Sequence, residues 1–192
     1  MKNNIGLVDY VKKMIGTPYW WGTFGQFGTK ALYDAKKKQY PYAYNWSYQN
    51  KMANMKVHDC SGLIKGYLWC ETPLSSPNYV GSQDVNAAGF YMNSPQRGYV
   101  NDIPEIPGLL VFYGSLEHIG VYIGNGEVVQ CANLDLGCIK TKLKSDSNWK
   151  YWGKCPWIEY VENGSNESDV DNEIKKLVNT MQDCLNRLMQ LI

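Results

Sequence analysis

The tripeptide Asp59-Cys60-Ser61 sets a thiol immediately ahead of Leu63, Ile64, Tyr67 and Leu68, whose spacing is that of one helix face. A cysteine in that position has a chemical use. The thiolate, not the thiol, attacks carbonyl carbon, and helix N-terminal amides together with a neighbouring imidazole favour the anion. Asp59 has the side chain of an N-cap, Gly62 permits close backbone approach, and the Cys60 amide is one of the N–H groups that a helix start leaves for an oxyanion. The plainer alternative is a buried thiol that packs as a small hydrophobe.

The chain holds only two histidines, His58 and His118. His118 opens "HIGVYIG", in which Ile119, Val121 and Ile123 alternate onto one strand face and His118, Gly120 and Tyr122 onto the other. The next segment, "EVVQ", brings Gln130, and the "GNG" between them decides which side chains share a face. A two-residue turn pairs Gly124 with Glu127 and turns Gln130 away from His118. A three-residue loop with a bulge at Gly126 pairs Gly120 with Gln130 instead, which puts Gln130 diagonally beside His118, where its amide can orient the imidazole. His58, two residues before Cys60, competes as base, but its offset suits contact with the loop.

These residues need a scaffold. Ile5, Val8, Val11 and Ile15 recur at helical spacing behind Asn3 and Asn4, so 4–15 reads as a first helix, and the stripe after Asp59 as a second. A short helix is expected over 84–92. "LLVFYG", "HIGVYIG", "EVVQCAN", "CIKTKL" and "KCPWIEY" then read as strands separated by turn residues. Helices followed by a strand meander give an α+β domain in which N-terminal helices pack on a central antiparallel sheet.

The chain has 192 residues, is 44% hydrophobic and carries a formal net charge of +1, so it can bury a core and presents no field that would select nucleic acid. No apolar run approaches the roughly 18 residues needed to span a membrane. The N-terminal "MKNNIGLVDYVKKMIG" lacks the apolar core of a signal peptide, so a soluble protein without an export signal is expected. Six scattered cysteines without a Cys-x-x-Cys pair read as mostly free thiols, and neither a metal nor a cofactor is expected.

In that order, "GTPYWWG", "DCSG" and "HIGVYIGNGEVVQ" resemble the three signature blocks of the NlpC family of cysteine peptidases, over about residues 5–160. The resemblance implies a papain-like fold and cleavage of bacterial peptidoglycan stem peptides, typically between D-glutamate and a diamino acid. It also implies Cys60 as nucleophile, His118 as general base and Gln130 as the orienting residue. By the same resemblance Tyr19 lines the site near the oxyanion, while Asp59 and Ser61 help hold the substrate's free amine. The chain departs from the family pattern at three places. Gln130 stands where many members have histidine, "GLLVF" replaces the usual "GDLV", and 41 positions separate Tyr19 from Cys60 (60 − 19), more than is usual.

The extra length, about 23–57, carries Tyr33, Tyr40, Tyr42, Tyr44, Trp46 and Tyr48 with Lys36, Lys37 and Lys38. It reads either as a wall-binding rim or as a loop, with one short helix, that buries its own aromatics as an alternating strand does. The resulting division is a peptidase domain over 1–162, a linker over 163–169 and an amphipathic helix over 170–192 whose a/d stripe, Val170 to Leu191, suits a coiled coil and a homo-oligomer. The expected function is a peptidoglycan endopeptidase, in the setting of a phage or prophage lysin. An N-acetylmuramoyl-L-alanine amidase or an acyltransferase with the same Cys-His pair, or a non-catalytic wall-binding module, are the alternatives.

Overall fold

The structure, a computed structural model, describes residues 1–161 and 175–181. Met1–Glu159 make one compact unit and Tyr160–Ile192 a second. The expected linker and most of the C-terminal helix lie outside the described residues, as does any test of the coiled coil; residues 175–181 are helical.

The first unit is α+β. Helix α1 (Asn4–Lys13) starts where the Asn3 side chain accepts the Gly6 N–H, and it buries Leu7, Val8 and Val11. Strand β1 (Phe24–Phe27), helix α2 (Lys30–Gln39) and strand β2 (Lys56–His58) follow, with β1 and β2 forming a small antiparallel ribbon. Helix α3 (Cys60–Trp69) comes next, then α4 (Ala87–Asn93), which the Asn86 side chain caps, so this helix begins later than Asp84. The main sheet is built from β3 (Arg97–Tyr99), β4 (Leu110–Tyr113), β5 (Ile119–Gly124), β6 (Glu127–Asn133), β7 (Gly137–Lys142) and β8 (Trp149–Gly153). Its order is β3-β8-β4-β5-β6-β7, with every pairing antiparallel. Leu63, Ile64 and Tyr67 of α3 meet Leu110, Ile119, Val121 and Val129 of the sheet in one core, which fixes the start of α3 against the start of β5.

Two expectations are corrected. The last strand is Trp149–Gly153, not "KCPWIEY", because Pro156 has no N–H to give a ladder whereas 149–153 pairs with strands on both sides. The segment 23–57 is more ordered than a loop. Its "YPYAYNWSY" is no strand, since Pro41 starts a 3-10 turn, and the alternation reflects rings gathered round Trp20. Tyr33 and Tyr44 are buried with Trp20, and Trp46 and Tyr48 pack on them, so most of the aromatics make a core of their own. Tyr42 stays exposed. The five described cysteines, Cys60, Cys70, Cys131, Cys138 and Cys155, are free.

His58 is turned into the core. It is fully buried, its Nε2 lies 2.9 Å from the Tyr10 hydroxyl, and its Nδ1 has no hydrogen-bond partner. Burial, with the Lys56 charge beside it, pushes its pKa down to about 3. A histidine whose folded-state pKa lies below its unfolded value gives stability that is complete above 6.5 and is lost as pH falls from there toward 3, about 1.4 kcal/mol for each pH unit. Urea unfolding at about pH 7.5 and about pH 5 should therefore cost the wild type about 2 kcal/mol more between the two than it costs His58→Gln. Equal pH dependence of the two proteins would refute the assignment.

Candidate active site

Cys60 is the first residue of α3 and is half-buried. Asp59 ahead of it has extended backbone (φ −91°, ψ −174°), the geometry of an N-cap. Its Oδ1 accepts the Gly62 N–H at 2.6 Å and the Ser61 hydroxyl at 3.1 Å, and its Oδ2 accepts the Gly22 N–H at 2.9 Å. The Asp59 N–H donates to the Thr23 carbonyl at 3.0 Å, and a Cβ on residue 62 would stand 1.8 Å from that same oxygen. Only glycine lets the helix start this close to the loop.

His118 sits just before β5, and its carbonyl accepts the Tyr113 N–H. The hairpin that follows combines the two alternatives read from the sequence. The turn is the two-residue one, Asn125-Gly126, both at positive φ and closed by the Gly124–Glu127 pair. The register then shifts between Tyr122 and Gly124, so that Val121 pairs with Val129, which sets Gly120 opposite Gln130. Gln130 therefore shares a face with His118, and its Oε1 lies 2.6 Å from His118 Nε2. The Gln130 Nε2 donates to the Thr141 hydroxyl of β7 at 3.1 Å. With the amide so oriented, His118 Nε2 carries the proton and Nδ1 keeps the lone pair of a base.

The two halves meet where α3 packs on β5. The N–H groups of Ser61, Cys60 and Ile119, the residue after His118, favour the sulfur anion. No hydrogen bond joins the thiol to the ring among the described residues. Burial first, and then the Asp59 charge, push the thiol up to about 12 against these amides, so the lowering expected from the helix start alone does not prevail. Burial also lowers the His118 pKa, while the Gln130 hydrogen bond and the charges of Asp146 and Asp59 oppose that shift. Both groups are thus neutral at neutral pH. Tyr19 bridges to His58 beside the site, and burial, followed by the Cys60 and Asp59 charges, raises its pKa and keeps its hydroxyl protonated as a donor.

Each half borders a cavity. One of about 420 Å³ is lined by Asp59 and Ser61 with Trp21, Lys36, Tyr40 and Asp84; another of about 510 Å³ is lined by His118 and Gln130 with Tyr113, Thr141 and Asp146. A larger cavity of about 1010 Å³ includes neither Cys60 nor His118. The sequence reading missed the groups round the imidazole. The Tyr113 and Trp149 rings lie 4.7 and 5.6 Å from the His118 ring centre, and the Tyr113 hydroxyl donates to Asp146. Thr141 alone had a signal, its place in an alternating strand that pairs with the Gln130 strand. Among the described residues no group of three or more His, Cys, Asp or Glu is set to hold a metal ion, and no helix is long and apolar enough to cross a membrane.

No curated protein matches the chain significantly. Among solved structures, the peptidoglycan hydrolase RipB of Mycobacterium tuberculosis is similar at 17% identity and a TM-score of 0.44, over 79% of this chain and 65% of that one. The P60 domain of a Mycobacterium avium subspecies paratuberculosis antigen is similar at 19% identity and 0.43, over 79% and 96%. RipD of M. tuberculosis, described as a non-catalytic NlpC/p60 domain protein adapted to peptidoglycan binding, is similar at 13% identity and 0.48, over 79% and 95%. Identities this low do not carry an activity from one protein to another. The NlpC/P60 family itself matches residues 16–155, which span the Asp59-Cys60-Ser61 helix start, His118 and Gln130, and the chain belongs to that family.

Proposed function

We propose that the protein is a cysteine endopeptidase of bacterial peptidoglycan that cleaves the stem peptide between D-glutamate and the diamino acid, with Cys60 as nucleophile, His118 as base and Gln130 as the residue that orients the imidazole. The observation that carries this reading is the paired one at the α3–β5 contact: a thiol at a capped helix start meets the amide of Ile119, and Ile119 directly follows a histidine whose Nε2 is held by Gln130. Family membership supports a peptidoglycan hydrolase in general; the bond cleaved follows from the sequence resemblance.

In this reading Nδ1 of His118 removes the Cys60 proton as the sulfur approaches the scissile carbonyl. A neutral thiol and a neutral imidazole make the proton transfer part of the attack rather than a step completed beforehand. The carbonyl oxygen takes on charge, and the Cys60 N–H and the Tyr19 hydroxyl are its donors. Collapse of the tetrahedral adduct breaks the C–N bond, His118 returns its proton to the leaving amine, and the glutamyl group remains as a thioester. Water, deprotonated by the same Nδ1, then releases the acid and restores the thiol. Asp59 and Ser61 wall the side of the site that receives the substrate's free amine.

Digestion of defined muropeptides, with products weighed, should yield a new D-glutamate terminus, and Cys60→Ala should lower the rate by at least about 1000-fold. A free lactyl-sugar product would indicate an amidase, and equal wall lysis by Cys60→Ala would remove the peptidase altogether. Alkylation of Cys60 by iodoacetamide, followed on its tryptic peptide, should accelerate steadily from about pH 6 to about pH 10. A rate already level near pH 6 would mean a preformed thiolate–imidazolium pair and would refute the neutral starting state.

A further inference from the structure

The cavity beside Asp59 and Ser61 holds one ion pair, one aspartate satisfied by neutral donors, and one ammonium. Both oxygens of Asp59 are taken by Gly22, Gly62 and Ser61. Those of Asp84 are taken as well, Oδ1 by the Lys65 ammonium at 2.6 Å and Oδ2 by the Tyr79 hydroxyl at 2.9 Å. Lys65 is buried and ion-paired by this contact.

The remaining cation is Lys36, which the inserted helix α2 sends into the same cavity. Among the described residues no carboxylate lies within ion-pair distance of it. Its Nζ reaches only the Gln39 Oε1, at 3.4 Å, and the rings of Tyr40 and Phe24, whose centres are 5.6 and 6.0 Å away. Burial disfavours its charge, and Asp59 and Asp84 offset that only at longer range. A half-buried ammonium group without a counter-ion, in a cavity next to a nucleophile, gains most from an anionic group delivered by a ligand.

We propose that Lys36 makes this cavity a carboxylate-binding subsite that selects stem peptides whose glutamyl unit carries a free carboxylate over those in which it is a carboxamide. The selection rests on the peptidase reading above. A singly charged group fits better than a phosphate, because one ammonium is available and Asp59 and Asp84 repel a second negative charge. Trp21 and Tyr40 add aromatic surface to the lining around this contact, and a charge-assisted hydrogen bond gains strength where the surroundings are less polar than water. The subsite belongs to the insertion, so it arises from the extra length between Tyr19 and Cys60.

Two synthetic stem tetrapeptides, identical except for a glutamyl carboxylate or carboxamide, test the proposal. The wild type should prefer the carboxylate by about tenfold in kcat/KM, Lys36→Gln should erase that preference, and Lys38→Gln, which changes net charge equally from the exposed side of α2, should keep it. A preference that survives Lys36→Gln, or none in the wild type, overturns the subsite while leaving the peptidase. Calorimetric binding of the same peptides to Cys60→Ala separates the two claims. If neither peptide is cleaved but the carboxylate form binds Cys60→Ala more tightly, and Cys60→Ala/Lys36→Gln loses that difference, the subsite stands and the peptidase reading falls. Absence of both cleavage and selective binding overturns both.

Discussion

The Asp59 carboxylate takes hydrogen bonds from the Gly22 and Gly62 amides and the Ser61 hydroxyl, and the start of α3 stands where those bonds place it. Replacing such a cap typically costs about 1 kcal/mol in helix stability, but here the cost is also positional. The same side chain ties the helix to the loop after Trp21, and the Thr23 carbonyl fills the space that any side chain at 62 would need. Cys60 is one peptide unit from this knot. Its sulfur can be aimed at the Ile119 amide at the start of β5 only while the knot holds.

The opposing half depends on a register. One extra residue in β5, between Tyr122 and Gly124, brings Gln130 to the His118 face although the turn itself has only two residues. Thr141 then holds the far end of the Gln130 amide, so three strands contribute to the orientation of one ring. A shift of one position would flip every one of these side chains to the opposite face. The imidazole thus has a chosen tautomer before any substrate arrives.

Electrostatics in the site oppose a resting ion pair. Helix amides favour the thiolate, yet removal of the thiol from water and the nearby Asp59 charge outweigh them. The imidazole is likewise held neutral by burial. In the proposed mechanism charge therefore develops only as the carbonyl is attacked, with the Cys60 amide and a protonated Tyr19 as the proposed donors. The insertion adds a different kind of group to this neutral pair, an ammonium that among the described residues has no carboxylate at ion-pair distance, on the side of the helix start.

Features that repeat over a few residues were legible in the sequence. Asp59 ahead of an apolar stripe specified the cap and the helix start, the alternation of Ile119, Val121 and Ile123 specified the buried face of β5, and the two readings of "GNG" framed the register. These are local matters of backbone geometry and period. The sequence alone could not choose between the two registers, because the bulge is paid for by pairing across the sheet, nor could it replace "KCPWIEY" with Trp149–Gly153, because a strand is defined by its neighbours. It also pointed to a lowered thiol pKa, since a helix start is local whereas burial is not. Thr141, Asp146 and the half-buried charge of Lys36 took meaning only once distant segments were brought together, for the energy of a charge or a hydrogen bond is set by what surrounds it in space.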